Sequence, residues 1–514
     1  MTMTKSLMLG TAAAVVALGS AQAADLPVKA RAVEYVKVCS LYGAGFYYIP
    51  GSDTCIRIGG AIRVDTAFNG TNYDKPLWQG GAAGANAYGR DYFSTRARLN
   101  LFIDTRTATE FGVLRTYANN QFDWTQGSSG IGGGSPVEVD YAFIQFAGFT
   151  FGKAVSQFDP QWTLGRPSIS SGMNAGSYNA TGIPQLAFTA QFGNGLSGTI
   201  SLEDAVPYRS AGVINTSRPF IGPFGATTLP TGAYGFNNFL GNAQGGDHVP
   251  DIVANVRLDQ AWGSLHLGAA AHEVHGSYYG ANGASSSGHP DAKWGYALTG
   301  AFELKNLPTG VGDSFKAEAS FGHGAAKYVW GGTPDLAGAG RFARLGGSSV
   351  AGADGSMAFG YVFDGVYSGL GTAASPGTAL SLSDAWEVSA YFEHYWTPAW
   401  RTSLFGNYSY VSYGSASDAL LLAAANGGLL STGTTAAAGS FAFSTAQIGT
   451  RTAWTPVKDL TLSAEVMYSR MSQRLTGTFT SAAAGLVPGY GAGATFELKN
   501  QNAFNGSVQI LRSF

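Results

Sequence analysis

Residues 56–68 read I-R-I-G-G-A-I-R-V-D-T-A-F, and their side chains fall into two alternating sets. Arg57, Arg63 and Asp65 share one parity. The other parity is mostly apolar and contains Ile56, Ile58, Ile62, Val64, Thr66 and Phe68. Because successive side chains of a β-strand point to opposite faces of a sheet, this stretch predicts a strand with one apolar and one charged face.

The rest of the sequence indicates whether this strand belongs to a soluble protein or to a membrane protein. A half-buried strand of a soluble sandwich would alternate in the same way. The polar face, however, carries two arginines rather than a mixture of Lys and Glu, and the alternation recurs to the last residue of the chain. Many of the runs reach the roughly 9–11 residues that a tilted strand needs to cross a membrane.

The connections between the runs alternate between short and long. The short ones are residues 104–110, 193–195, 259–262, 397–399 and 455–459, and the long ones include 69–91, 156–183, 205–250, 324–381, 413–440 and 472–501. Residues 356–367 also look like a strand, but counting them would give an odd total, so we assign them to a long loop. The sequence therefore predicts an all-β, transmembrane antiparallel barrel of about sixteen strands with short periplasmic turns and long extracellular loops.

Composition agrees with a barrel that encloses water. Charged residues make up only 12% of the 514 residues, aromatic residues 13%, and Gly is frequent at 73. A lumen of about sixteen strands is wide enough to hold water, so polar side chains line it while apolar side chains meet lipid. The formal net charge of −2 argues against nucleic acid as a partner.

The N-terminus predicts export. Lys5, the apolar residues 7–18 and the small-residue site Ala21-Gln22-Ala23 form a signal peptide, residues 1–23. Residues 24–55 are then expected to form an N-terminal periplasmic segment, and residues 56–514 the barrel. Cys39 and Cys55 are the only cysteines, and an even count in an exported chain favours a disulfide loop over free thiols or metal ligands.

Several stretches resemble a known family. Residues 24–60, beginning A-D-L-P-V-K-A-R, are similar to the start of mature alphaproteobacterial porins. Residues 137–153, residues 392–406 and the terminal Phe514 resemble the same family, although Arg512 on the lipid parity departs from a clean pattern. The resemblance implies a homotrimeric general-diffusion porin in the outer membrane of a Gram-negative bacterium, in contact with its lipids and lipopolysaccharide, with a third loop folded into the lumen.

The expected pore constriction combines arginines with this third loop. Arg57, Arg63, Arg96 and Arg98 lie on the polar faces of neighbouring strands, and Arg115 is expected to join them. Asp159, in residues 156–183, is expected to face the arginines and set a transverse field, with help from Asp65, Glu138 and Asp140. The alternatives are a wall of solvated charges without a shared purpose, and a loop that stays exposed.

Signals for an enzyme are weak. Residues 193–198 match G-x-G-x-x-G but lie between two strands, which predicts a turn rather than a nucleotide site. Residues 272–275 read H-E-V-H, which lacks the spacing of a zinc motif. We therefore expect a passive channel for small hydrophilic solutes and ions, with no cofactor, metal or catalytic residue. The alternative is a barrel enzyme or adhesin of the same membrane.

Overall fold

A computed structural model describes residues 37–69, 93–125, 137–169, 173, 175–177, 181–205, 211–217, 243–280, 285–330, 340–348, 351–426, 435–480, 491 and 493–514. The chain divides into two units, Met1–Ile56 and Arg57–Phe514. The signal peptide predicted for residues 1–23 lies outside the described residues. The described helices are all too short or too polar to span a membrane.

The first unit contains the predicted disulfide. Cys39 and Cys55 are bonded, and both are buried together with Phe46. A short strand, Tyr47–Tyr48, pairs antiparallel with Cys55 and Ile56. Closing a loop of this length stabilises a fold by roughly 3 kcal/mol in the chain-entropy model.

The second unit is a closed barrel of sixteen antiparallel strands. Its strands are β1 Cys55–Phe68, β2 Phe93–Thr109, β3 Gly112–Thr125, β4 Glu138–Phe146, β5 Phe149–Ala154, β6 Ile183–Gly193, β7 Leu196–Glu203, β8 Asp251–Gln260, β9 Gly263–Val274, β10 Lys293–Lys305, β11 Ser314–His323, β12 Asp384–Thr397, β13 Trp400–Ser412, β14 Thr435–Val457, β15 Leu460–Thr480 and β16 Gln501–Ser513. The ring closes where β16 pairs with β1, from Ala61 opposite Ser513 to Phe68 opposite Gly506. The predicted strand number is confirmed.

The connections define two ends of the barrel. Residues 110–111, 147–148, 194–195 and 398–399 are tight turns at one end, which we call the short-turn end. Asn194 has a φ of 51°, so the predicted turn at residues 193–195 is confirmed. The long loops lie at the other, long-loop end. Residues 356–367 form strands Gly355–Val362 and Gly365–Tyr367. As predicted, these strands belong to a long loop and are not among the sixteen strands of the barrel.

Several predicted boundaries were wrong; the connection predicted to begin at residue 472, for example, begins only after Thr480, where β15 ends. Residues 104–110 are not a connection, because β2 continues to Thr109. The carboxylate of Asp104 looks like a turn signal in sequence, but inside the strand it pairs with Arg106 and Arg115 on the inner face. The connection predicted for residues 413–440 contains a helix, α1 Gly414–Asn426. It is also shorter than predicted, because β14 already begins at Thr435.

The two faces of the sheet differ as the alternation predicts. Ile58, Ile62 and Val64 of β1 are exposed on the outer face, whereas Asp65 on the inner face is buried. Exposed tryptophans lie near both ends of the outer face, and at the short-turn end Trp400 and Trp454 stack with ring centroids 5.4 Å apart. Aromatic side chains are favoured at membrane interfaces because one part is apolar and another polar.

The largest hydrophobic core lies at the long-loop end and inside the barrel. We call the loop segments that build it the loop cap: residues 211–217, 326–330, 351–382, 413–426 and 493–498. Trp330, Phe363 and Phe496 of the loop cap pack with Val411 and Phe443, which lie on the inner faces of β13 and β14. The loop cap therefore occupies part of the lumen beside β12–β16.

Candidate pore constriction

The described part of the third long loop, residues 155–169, 173, 175–177 and 181–182, folds into the lumen. We call it L3. The backbone N–H of Gln157 donates to Oε1 of Glu203 on β7 (2.8 Å), and Nδ2 of Asn255 on β8 donates to the Gln157 carbonyl oxygen (2.6 Å). Nε2 of His266 on β9 lies 2.9 Å from the carbonyl oxygen of Phe158. These three strand residues are on the inner face, so L3 starts by following the inner wall.

L3 continues along the wall as far as β15 and β1. Nζ of Lys316 on β11 donates to the Gly165 carbonyl oxygen at 2.6 Å. The backbone N–H of Ile169 donates to Oε2 of Glu465 on β15 (2.5 Å), and Nη2 of Arg63 on β1 lies 3.4 Å from the Ile169 carbonyl oxygen. Hydrogen bonds to carboxylates are roughly twice as strong as neutral ones, so the glutamates are strong anchors for this loop.

A small aromatic cluster supports the middle of L3. Trp162 packs edge-on against Tyr391 of β12, with ring centroids 5.9 Å apart, and Met173 and Phe405 complete the cluster. The side chain of Arg166 is buried here and lies 3.3 Å from Glu318. Burial lowers the pKa of Arg166, but Tyr391, Glu318 and Asp159 raise it by more, so this guanidinium stays charged.

Three of the predicted arginines lie together on β1 and β2. Arg96 binds Asp65 through two nitrogens, with Nε 3.1 Å from Oδ1 and Nη2 2.9 Å from Oδ2. Arg63 approaches the same carboxylate from the other side, at 3.0 Å. Arg98 makes a bidentate pair with Asp123 of β3, with both distances 2.6 Å. Asp65 therefore lies within the arginine cluster rather than opposite it.

The other predicted residues lie elsewhere. Arg57 is exposed at the short-turn end of β1, and Arg115 pairs with Asp104 at 3.0 Å near the short-turn end of β3. Asp159 is buried and accepts a hydrogen bond from Ser177, and it interacts electrostatically with Arg166 and Glu318. Asp140 accepts a hydrogen bond from Asn119. The structure thus places the named residues at several levels of the lumen.

Sequence reasoning missed the residues that complete the ion pairs of the inner wall and those that hold L3. Asp123, Asp104 and Arg106 each take part in an ion pair of the inner wall, and Arg166, Glu203 and Glu465 hold L3. The pairing of Arg98 with Asp123 follows from the register of β2 against β3, in which the two residues are directly opposite. A shift of one residue would turn one of them to the lipid face, so the pair becomes visible only once the register is known.

Charges of opposite sign differ in their access to water. The side chains of Arg63 and Asp65 are 17% and 4% exposed, and those of Arg106 and Asp104 are 28% and 7% exposed. Glu203, Glu318 and Glu465 are all buried beneath L3. In these two pairs the guanidinium reaches the lumen water more than the carboxylate does, whereas Arg96 is only 1% exposed beside Asp65.

These features define a class of protein. A closed barrel with an apolar outer face, a charged inner face and a loop folded across its lumen is the architecture of an outer-membrane porin. The family model of the porin subfamily matches residues 25–507, so the chain belongs to this family and the predicted resemblance is confirmed. The protein is a porin of the Gram-negative outer membrane.

Relatives and a solved structure agree with this assignment. Porin Omp2b of Brucella suis biovar 1 is 33% identical over 278 residues, which cover 52% of this chain and 66% of that porin. Porin Omp2b of Brucella melitensis biotype 1 is 32% identical over 278 residues, which again cover 52% of this chain and 66% of that porin. The matched part thus spans 66% of the length of these relatives. The outer membrane channel DcaP of Acinetobacter baumannii has the same fold, with a TM-score of 0.54, 14% identity and coverage of 91% and 99% of the two chains.

Proposed function

We propose that the barrel is a passive, water-filled channel for small hydrophilic solutes and ions. The single observation that carries this proposal is the path of L3, which is fixed to the inner wall by Glu203 and Glu465 and narrows the lumen. A sixteen-stranded barrel leaves an aqueous channel, and a loop inside it sets the size limit for solutes.

The constriction itself is a further part of the proposal. Arg63 is one of the wall residues that contact L3, since it binds both Asp65 and the Ile169 carbonyl oxygen. Arg96 and Arg98 lie on the neighbouring strand and extend the same charged wall, while Arg57 and Arg115 lie nearer the short-turn end. We infer a weak preference for anions, because the side chains of Arg63 and Arg98 are more exposed than those of Asp65 and Asp123.

Assembly and processing are proposed on the basis of family membership. We propose a homotrimer in contact with outer-membrane lipids and lipopolysaccharide. We also propose that the signal peptide, residues 1–23, is removed and that residues 24–55 form a periplasmic segment ahead of the barrel. The disulfide between Cys39 and Cys55 lies within that segment.

Solute flux tests the proposed function. Liposomes that contain the purified protein should swell in isotonic solutions of small neutral sugars, at rates that fall steeply as the sugar becomes larger, because every solute must pass L3. Protein-free liposomes and liposomes with heat-denatured protein are the controls. Swelling no faster than in these controls would contradict a diffusion channel and favour a barrel with another role.

A further inference from the structure

One guanidinium at the short-turn end of the lumen has no counter-ion among the described residues. Arg57 of β1 is exposed on the inner face, and among the described residues it makes no hydrogen bond and no ion pair. Its guanidinium lies over the ring of Phe102 from β2, 5.4 Å from the centroid. The other arginines discussed above each have a carboxylate partner, so the donors of Arg57 are open to a solute.

Phe102 is the first ring of an aromatic row that follows the inner wall. Its ring stacks on Tyr117 of β3, with centroids 5.9 Å apart, and Tyr117 stacks on Phe143 of β4 at 5.3 Å. All three side chains are partly exposed. We call Phe102, Tyr117 and Phe143 the aromatic row. Gly59 makes room for it, because a Cβ at this position would lie 2.6 Å from the Phe102 ring.

The charge around the aromatic row is positive. Arg115 lies over Tyr117 and Phe143, with distances of 5.1 and 5.4 Å to the centroids. Arg115 and Arg106 share a single carboxylate, Asp104, at 3.0 and 2.9 Å. Arg57, Arg106 and Arg115 thus outnumber the nearby carboxylates of Asp104 and Asp140. The edges of aromatic rings also carry positive partial charge, so both components of the wall favour an anion.

We propose that Arg57 and the aromatic row form a binding site at the periplasmic end of the pore for organic carboxylates with an apolar, ring-containing body. The guanidinium presents a planar fork of donors that matches a carboxylate in two parallel hydrogen bonds. The ring of the solute then lies against the partly exposed edges of Phe102 and Tyr117. A small carboxylate without an apolar body makes only the first of these two contacts, so it binds more weakly.

Benzoate is a suitable probe, with acetate and benzyl alcohol as the two half-ligands. In single-channel recordings in chloride, benzoate added to the periplasmic side should reduce the current in a saturable way. Acetate and benzyl alcohol should each reduce the current only at much higher concentrations. Arg57→Gln should weaken the effect of benzoate by about tenfold or more, as expected for the loss of a hydrogen-bonded charge pair. Phe102→Leu should weaken the effect of benzoate on the current and leave the effect of acetate unchanged.

Arg257→Gln is the matched control. Arg257 also lies on the inner face near the short-turn end, on β8, but it is already paired with Asp259 at 2.6 Å. It removes the same charge from a different part of the wall and should leave the benzoate effect unchanged. An equal loss in Arg57→Gln and Arg257→Gln would show a general field effect and overturn the site, as would wild-type affinity in Arg57→Gln. Calorimetric titration of the detergent-solubilised protein with benzoate measures binding independently of conduction, so failure of the site and failure of the channel are distinguishable.

Discussion

Asp364→Ala should produce channels with higher and less steady conductance than the wild type. Asp364 is a buried residue of the loop cap, and its two oxygens accept hydrogen bonds from the backbone N–H groups of Ala326 (2.6 Å) and Ala211 (3.1 Å). It also lies 3.4 Å from Nε2 of His272 on β9. One carboxylate therefore joins two loop segments to the barrel wall.

The expected effect is large because all of these partners are buried. Each backbone donor left without an acceptor costs roughly 1–3 kcal/mol, and His272 loses one of its two carboxylate partners while it keeps Asp251 at 2.7 Å. The loop cap packs inside the lumen, so loosening it should widen the path at the long-loop end. Limited proteolysis should show faster cleavage of the loop cap, and single-channel recordings should show the higher conductance.

Asp384→Ala is the control for this prediction. Asp384 pairs with His323 at 2.6 Å, but both side chains are exposed at the rim of the barrel. An exposed pair of this kind contributes about 0–1 kcal/mol, so conductance and proteolysis should match the wild type. Identical behaviour of Asp364→Ala and Asp384→Ala would show that the loop cap does not limit the path.

Release of L3 should have the second large effect. In the double variant Glu203→Ala/Glu465→Ala, the backbone N–H groups of Gln157 and Ile169 lose their acceptors. Each such bond to a charged group contributes about 1.5–3 kcal/mol, so L3 should leave the wall for part of the time. Recordings should show frequent current steps of variable size, and larger sugars should enter liposomes faster than with the wild type.

The double variant Glu203→Gln/Glu465→Gln separates anchoring from charge. The amide oxygen of Gln still accepts a hydrogen bond from a backbone N–H, although a weaker one than a carboxylate accepts. The Gln variant should therefore resemble the wild type in its sugar size limit, with a smaller increase in current noise. If the Ala variant kept the wild-type size limit and steady currents, L3 would not form the constriction.

The barrel was predictable because its determinants are local. The alternation between Ile62 and Arg63, or between Val64 and Asp65, assigns each side chain to lipid or lumen without knowledge of any partner strand. Turn residues such as Asn194 act in the same local way, since few residues other than Gly tolerate a positive φ. The strand count follows from repeating this reasoning along the chain.

The arrangement of the lumen was not predictable for a related reason. Asp159 was expected to face the arginine cluster, but its position depends on the path of L3, which is set by distant residues such as Glu203 and Glu465. Phe443 lies on the inner parity and resembles an ordinary strand residue in sequence. Only the folding of the loop cap back into the barrel explains why that position is apolar.

The central claim is that L3 and the wall beside Arg63 narrow a water-filled pore in which the accessible charge is positive. The structure indicates Arg63→Gln as the sharpest variant, because Asp65 keeps its bidentate partner Arg96 when Arg63 is removed. Substituting Arg96 or Arg98 instead would leave a largely buried aspartate without its main counter-ion. Arg512→Gln is the matched control, since Arg512 lies on the outer face of β16 and outside the lumen.

The reversal potential across a planar bilayer under a potassium chloride gradient tests this claim most directly. The wild type should show the sign of an anion-preferring channel, Arg63→Gln should shift the potential towards cation preference, and Arg512→Gln should match the wild type. A cation-preferring wild type, or a reversal potential that is the same in Arg63→Gln and the wild type, would contradict the account.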